Sequence, residues 1–223
     1  MIYKIQPALI NKVVGYEASI KMVEGYDYRP TDSVYNIYSR GKLDFIPNID
    51  AIQLQKRAKF MDIMTSVPVR RSGLIISDRL LDLINSFNIP EELQVFDAYA
   101  EHKGEKRHYN YFYVYYSHED KIIDWNKSEF KPGSEEFKKA SHLFKRDIHR
   151  LRKNYDNGIE IESSFPHKLV INEAEIKTDI FKLYFSNWGY YVTEELKNAI
   201  ENSDCLGVDL IPIDQLRFEV EFQ

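Results

Sequence analysis

The sequence predicts an α+β fold, a mixed or antiparallel sheet with helices packed on it. Three observations lead there. In Gly73–Ile84 a buried strand (Leu74, Ile75, Ile76) runs straight into a helix, with Ser77 where an N-cap belongs. Its hydroxyl can accept a hydrogen bond from a free N–H of the first turn, and Asp78 suits the positive helix end. The same pattern returns 116 residues later, with Gly189, Thr193, Leu196 and Ile200 matching Gly73, Ser77, Leu80 and Ile84. Each helix is followed by an extended apolar stretch, Leu93–Phe96 and Val208–Ile211, so two strand–capped helix–strand units related by an internal repeat are expected. Finally, Arg107–Tyr116 alternates tyrosines (109, 111, 113, 115) with Phe112, Val114 and Tyr116. A strand apolar on both faces is a central one.

In chain order, Tyr3 and Ile5 alternate with polar residues and predict a first strand, and Val34–Tyr38 predicts another. Residues 50–61 read as a short helix capped by Asn48 or Asp50, although Phe60–Met64 fits a strand equally well. Helix 77–87 stops at Asn88-Ile-Pro90. A strand at 93–100, a turn at His102–Glu105 and the tyrosine strand follow, with Lys121–Trp125 expected as the latter's antiparallel neighbour. Phe137, Ala140, Phe144, Ile148 and Leu151 fall at helical spacing and predict a helix over 134–154. Its other positions are strongly basic. Residues 159–177 alternate loosely, Ile180–Phe185 is a strand, and Leu216–Phe222 alternates as a half-exposed final strand. No low-complexity linker interrupts the chain. A single α+β domain over 1–223 is therefore expected, with two possible lobes (1–131 and 132–223).

Hydrophobic residues at 43% and charged residues at 29% describe a soluble globular protein. One cysteine, Cys205, excludes a disulfide framework and a cysteine zinc site. Met1–Pro7 lacks the apolar core of a signal peptide, and no window approaches the ~18 apolar residues of a membrane span, so a cytoplasmic location is expected. The net charge of −5 is uneven: residues 138–153 hold seven Lys/Arg and one Asp. The rest keeps 23 basic against 34 acidic residues, a net of −11. Such a body suits a basic protein partner better than nucleic acid.

Motifs for chemistry are sparse. No Gly-x-Ser-x-Gly elbow, phosphate loop or metalloprotease histidine pair is present. His142 and His149 lie seven apart among lysines and arginines, a poor setting for a metal. His118, Glu119, Asp120 and Asp124 form the densest acid–base group and could serve a hydrolase or transferase. The basic segment 138–153 could track phosphates in a nucleic-acid-binding module. No cofactor, metal or catalytic residue is assigned.

Several motifs resemble one bacterial family in order and spacing. They are Phe60-Met-Asp-Ile-Met-Thr-Ser66, Gly73–Ile84, the tyrosine strand, Ile123-Asp-Trp-Asn-Lys-Ser-Glu-Phe130, Asp179–Leu183, Tyr191–Ile200 and Leu206–Ile213. Over residues ~58–215 the chain is similar to immunity family eleven, and to its relative family forty-three, of the polymorphic toxin systems. The resemblance implies a small cytoplasmic protein that binds and neutralises a cognate toxin domain without catalysis. It transfers no site residues, and the basic stretch after residue 132 has no counterpart in it. Exposed aromatic and acidic residues near the sheet rim are the expected contacts: Trp125, Tyr109, Tyr111, Glu119 and Asp120.

Overall fold

β-branched and aromatic residues at two-residue spacing make extended chain the main structure. The computed structural model describes residues 1–8, 20–37, 41–54, 56, 58–69, 73–124, 126–130, 166–183, 189–215 and 219–223. The strands are β1 (Ile2–Pro7), β2 (Ile20–Met22), β3 (Ile49–Leu54), β4 (Ile63–Met64) and β5 (Leu74–Ile76). Helix α1 (Asp78–Asn85), the hairpin β6 (Leu93–His102) and β7 (Glu105–Val114), and α2 (Glu119–Ile122) follow. Next come β8 (Glu129–Phe130), β9 (Pro166–Ile171), β10 (Ile180–Leu183) and β11 (Gly189–Thr193). Helix α3 (Glu194–Glu201), β12 (Val208–Pro212) and β13 (Glu219–Phe222) complete the order. Mostly sheet with a few helices, the chain is α+β.

The strands form three sheets, in the orders β2-β3-β6-β7-β5-β4, β10-β11-β1-β12 and β13-β9-β8. Pairing is antiparallel except for β3 with β6 and β13 with β9. As expected, β7 lies inside its sheet. Tyr109, Tyr111 and Tyr113 enter a core shared with Ile49, Ile52 and Leu54, while Phe112 and Val114 enter a second core on the opposite face. That second core collects Tyr3, Ile5, Tyr190 and Val192 from the four-stranded sheet, and Leu80, Ile84, Leu196 and Ile200 from α1 and α3. The opposite face of the four-stranded sheet meets β9 through Ile2, Tyr191, Leu169 and Ile171. A Cβ at Gly73 would stand 2.6 Å from the Phe112 carbonyl oxygen and 2.7 Å from the Tyr111 ring, so only glycine lets β5 approach β7 here.

Both predicted caps are present. The Ser77 hydroxyl accepts from the Leu80 N–H at 3.2 Å, and that of Thr193 accepts from the Leu196 N–H at 3.5 Å. Each hydroxyl donates in turn to a buried aspartate, Ser77 to Asp62 (2.5 Å) and Thr193 to Asp179 (2.7 Å). The second carboxylate oxygen then reaches across the molecule. Asp62 accepts from the Leu206 N–H, behind α3, and Asp179 from the Asn88 N–H, behind α1. Main-chain bonds repeat the exchange, from Asp62 N–H to Leu206 O and from Asp179 N–H to Asn88 O. Each helix start is thus tied to the other helix's exit.

Several local expectations are corrected. Residues 49–54 form a strand and no helix spans 50–61 among the described residues, because Ile52 and Leu54 alternate into the core beside β6. Val34–Asn36 is a 3-10 turn capped by Ser33 instead of a strand. Lys121–Trp125 is not the neighbour of β7, whose two edges are taken by β5 and β6. Glu119–Ile122 turns as α2, and Ile123 bridges to Ile171. The helix expected over 134–154, with His142 and His149, lies outside the described residues, as does Trp125.

Candidate partner-binding site

Three loops meet beside the Asp179 tie and enclose a cavity of about 500 Å³. They are the exit of α1 (Asn88–Glu92), the segment from Val114 to Ile122, and Glu175–Lys182. Helix α1 has already ended at Asn85, with Ser86 as its C-cap, and the turn into α2 brings His118 over Glu92, Nε2 to Oε1 at 3.1 Å. Val114, Ile122 and Phe181 supply apolar wall, and Glu92, Glu175, Lys121 and Lys177 give the cavity charges of both signs. Lys182 is buried. Its ammonium donates to the Val114 carbonyl at 3.3 Å and lies 5.2 and 5.4 Å from the Tyr113 and Tyr190 ring centres. Aromatic faces and a carbonyl thus compensate much of the cost of taking that charge out of water.

Of the expected contacts, only Asp120 is exposed among those described. Tyr109 and Tyr111 are corrected: they are 3% and 0% exposed, their hydroxyls donate to the Met61 and Val69 carbonyls, and burial raises the Tyr109 phenol. Glu119 is corrected likewise, being 9% exposed at the start of α2. The physical reasons are that β7, which carries both tyrosines, is covered on both faces, and that α2 turns its first residue inward. Tyr113 is also internal, and burial pushes its phenol up to about 12. Tyr116, just past β7, is half exposed instead. Its ring meets His118 edge-on at 5.0 Å, and partial burial with Asp120, Glu92 and Glu119 nearby raises its phenol.

The His118–Asp124 group does not converge. His118 is engaged with Glu92, while Asp124 accepts from the Asn126 and Lys127 N–H groups and from the Gln223 amide. The Gln223 bond and those N–H groups hold its carboxyl below the usual range against the effect of burial. Asp124 is a turn-forming aspartate. Among the described residues, no group of three or more His, Cys, Asp or Glu could hold a metal, and no helix is long and apolar enough to cross a membrane. The alternative nucleic-acid surface, 138–153, lies outside the described residues.

Sequence reasoning missed Asp62, Asp179 and Lys182. A signal did exist for the first two, since an aspartate precedes each capping residue by nearly equal spacing, fifteen residues before Ser77 and fourteen before Thr193. Lys182 carried none, because a lysine in an apolar strand reads as an outward-facing residue.

No curated protein and no solved structure matches the chain. One family model does, that of immunity protein 43, over residues 68–222. It corresponds to the second of the two related families that the motifs resemble, and it reaches to the last strand. The chain therefore belongs to the immunity protein 43 family of the polymorphic toxin systems, and its function is immunity against a toxin.

Proposed function

We propose that the chain neutralises a cognate toxin domain by one-to-one binding, in the cytoplasm, without catalysing a reaction. Family membership supports the class, and one structural observation supports the mode. The groups that an acid–base site near His118 would need are committed to separate structural partners, His118 to Glu92 and Asp124 to a turn and Gln223. The acid-rich body outside 138–153 would speed encounter with a basic toxin by electrostatic steering. Asp120 and neighbouring Tyr116 are proposed contacts. The two capped-helix units are proposed to be copies of one ancestral repeat within a single domain. A shared antiparallel arrangement, β4-β5-β7-β6 and β10-β11-β1-β12, supports this, although β7 follows the other strands of its set in the chain and β1 precedes those of its own.

The test is co-expression with the toxin domain encoded beside this chain. Growth is restored and the two proteins purify as a one-to-one complex. Asp120→Lys lowers the association rate, whereas His118→Ala and Asp124→Asn retain protection. Protection at strongly sub-stoichiometric levels, lost in those last two variants, replaces binding with catalysis.

A further inference from the structure

Strand β12 ends the four-stranded sheet, and β6 holds the corresponding place beside β7. In both sheets the middle strand runs antiparallel between the two strands that flank a capped helix. The outer sides differ. β6 is covered by β3 in parallel register, with Ile49, Ile52 and Gln53 opposite Ala98, Ala100 and Glu101. Beside β12 there is no further strand among the described residues.

The register says which groups this leaves open. The Ala8 N–H donates to the Gly207 carbonyl at 2.8 Å, so that opposed pair is a hydrogen-bonded one. Alternation then gives the inward bonds to Asp209 (opposite Gln6) and Ile211 (opposite Lys4). Val208 and Leu210 direct both N–H and C=O away from β1, and Pro212 directs its carbonyl there. Pro212 thus sits where the ladder loses no donor. Leu206, half exposed at the mouth of this edge, is fixed through its backbone to Asp62. Residues 198–216 carry four acids (Glu201, Asp204, Asp209, Asp214) and no lysine or arginine. The Arg79 guanidinium, which lies near Asp204, is already paired with Asp62.

We propose that the outer edge of β12 is a strand-docking site for the toxin. An extended segment bearing basic and apolar side chains adds there as a fifth strand, in the place β3 takes beside β6. Its backbone satisfies Val208 and Leu210, an apolar side chain covers Leu206, and its cations face Asp204, Asp209 and Asp214. Strand addition takes affinity from the main chain and specificity from alternate side chains. The inference rests on the toxin being bound directly.

Amide hydrogen exchange on the full chain, alone and in complex with a catalytically dead toxin domain, tests it. Alone, Val208 and Leu210 exchange on the order of a hundredfold faster than Asp209 and Ile211. In the complex they slow at least about tenfold, and Asp120→Lys leaves that protection in place. Val208→Pro, which removes an outward N–H at the first strand residue, weakens the complex about tenfold with little change in melting temperature. A complex that forms with these two amides still fast overturns the docking edge and leaves the binding reading standing. No complex at all removes both. Protection in the free chain that grows with its concentration assigns the edge to a second copy and overturns the proposal.

Discussion

The ties at Asp62 and Asp179 are built alike and finished differently. Both aspartates are buried, both take a hydroxyl from a helix cap, and both accept a backbone N–H from the far unit. Around Asp62 the space is closed. Arg79 forks onto both oxygens, at 3.2 and 2.7 Å, and a Cβ at Gly207 would come within 2.7 Å of the Met61 side chain. Around Asp179 there is no ion pair among the described residues, and Asn88 and Thr178 line the cavity instead. One arrangement of bonds thus serves a sealed corner in one place and a cavity wall in the other. The hydrogen bonds define the frame, and neighbouring side chains decide whether it is filled.

The largest expected effects test whether the two units bear equal load. Leu80→Ala and Leu196→Ala should each cost about 2–5 kcal/mol in urea unfolding, since both side chains are fully buried in the shared core. A near-silent result at either would break the parallel. Asp62→Ala and Asp179→Ala should each cost about 2–3 kcal/mol by leaving buried donors unpaired. Arg79→Ala isolates the difference between the ties. Its side chain is 53% exposed, so it should cost under about 1 kcal/mol, and a larger loss would mean the guanidinium is structural. Ser77→Ala and Thr193→Ala should each lower stability by about 1 kcal/mol in thermal melts.

The smallest effect concerns pH and belongs to the first unit alone. His108 stands between Asp78 of α1 (2.8 Å) and Asp97 of β6 (3.1 Å), with Asn110 also donating to Asp78. Burial lowers its imidazole, but hydrogen bonds to Asp97 and Asp78 outweigh that, so the net shift is upward. A folded pKa above the unfolded one adds stability that is fully present below about pH 6.5 and is lost as pH rises through the folded value. Melting temperature should therefore fall slightly between about pH 6 and pH 8, and His108→Gln should flatten that slope. An unchanged slope would show that another group titrates.

The parts of the fold legible in the sequence were those settled within a few residues. Ser77 and Thr193 declared themselves because an N-cap is a local bargain between one hydroxyl and the next turn. Alternation likewise marked β7 as central. Residues 49–61 misled because apolar spacing there fits helix and strand alike, and the deciding partner, β6, lies some fifty residues on. For Lys121–Trp125 the nearest sheet edge was already taken by β5, which periodicity cannot reveal. Tyr109, Tyr111 and Glu119 were expected at the surface and are buried for a related reason: alternation tells which face a residue points to, and what covers that face is tertiary.

The position of β1 has a consequence for synthesis. Its residues, Ile2–Pro7, leave the ribosome well before their partners on either side, β11 and β12. The four-stranded sheet cannot close until Val208–Pro212 has emerged, and contacts so distant in sequence form slowly. Before β11 and α3 emerge, the core that Tyr3 and Ile5 enter lacks Tyr190, Val192, Leu196 and Ile200. A chain stopped before Leu206 would lack both β12 and the Leu206–Asp62 bonds, so immunity should be acquired all at once, when that segment emerges.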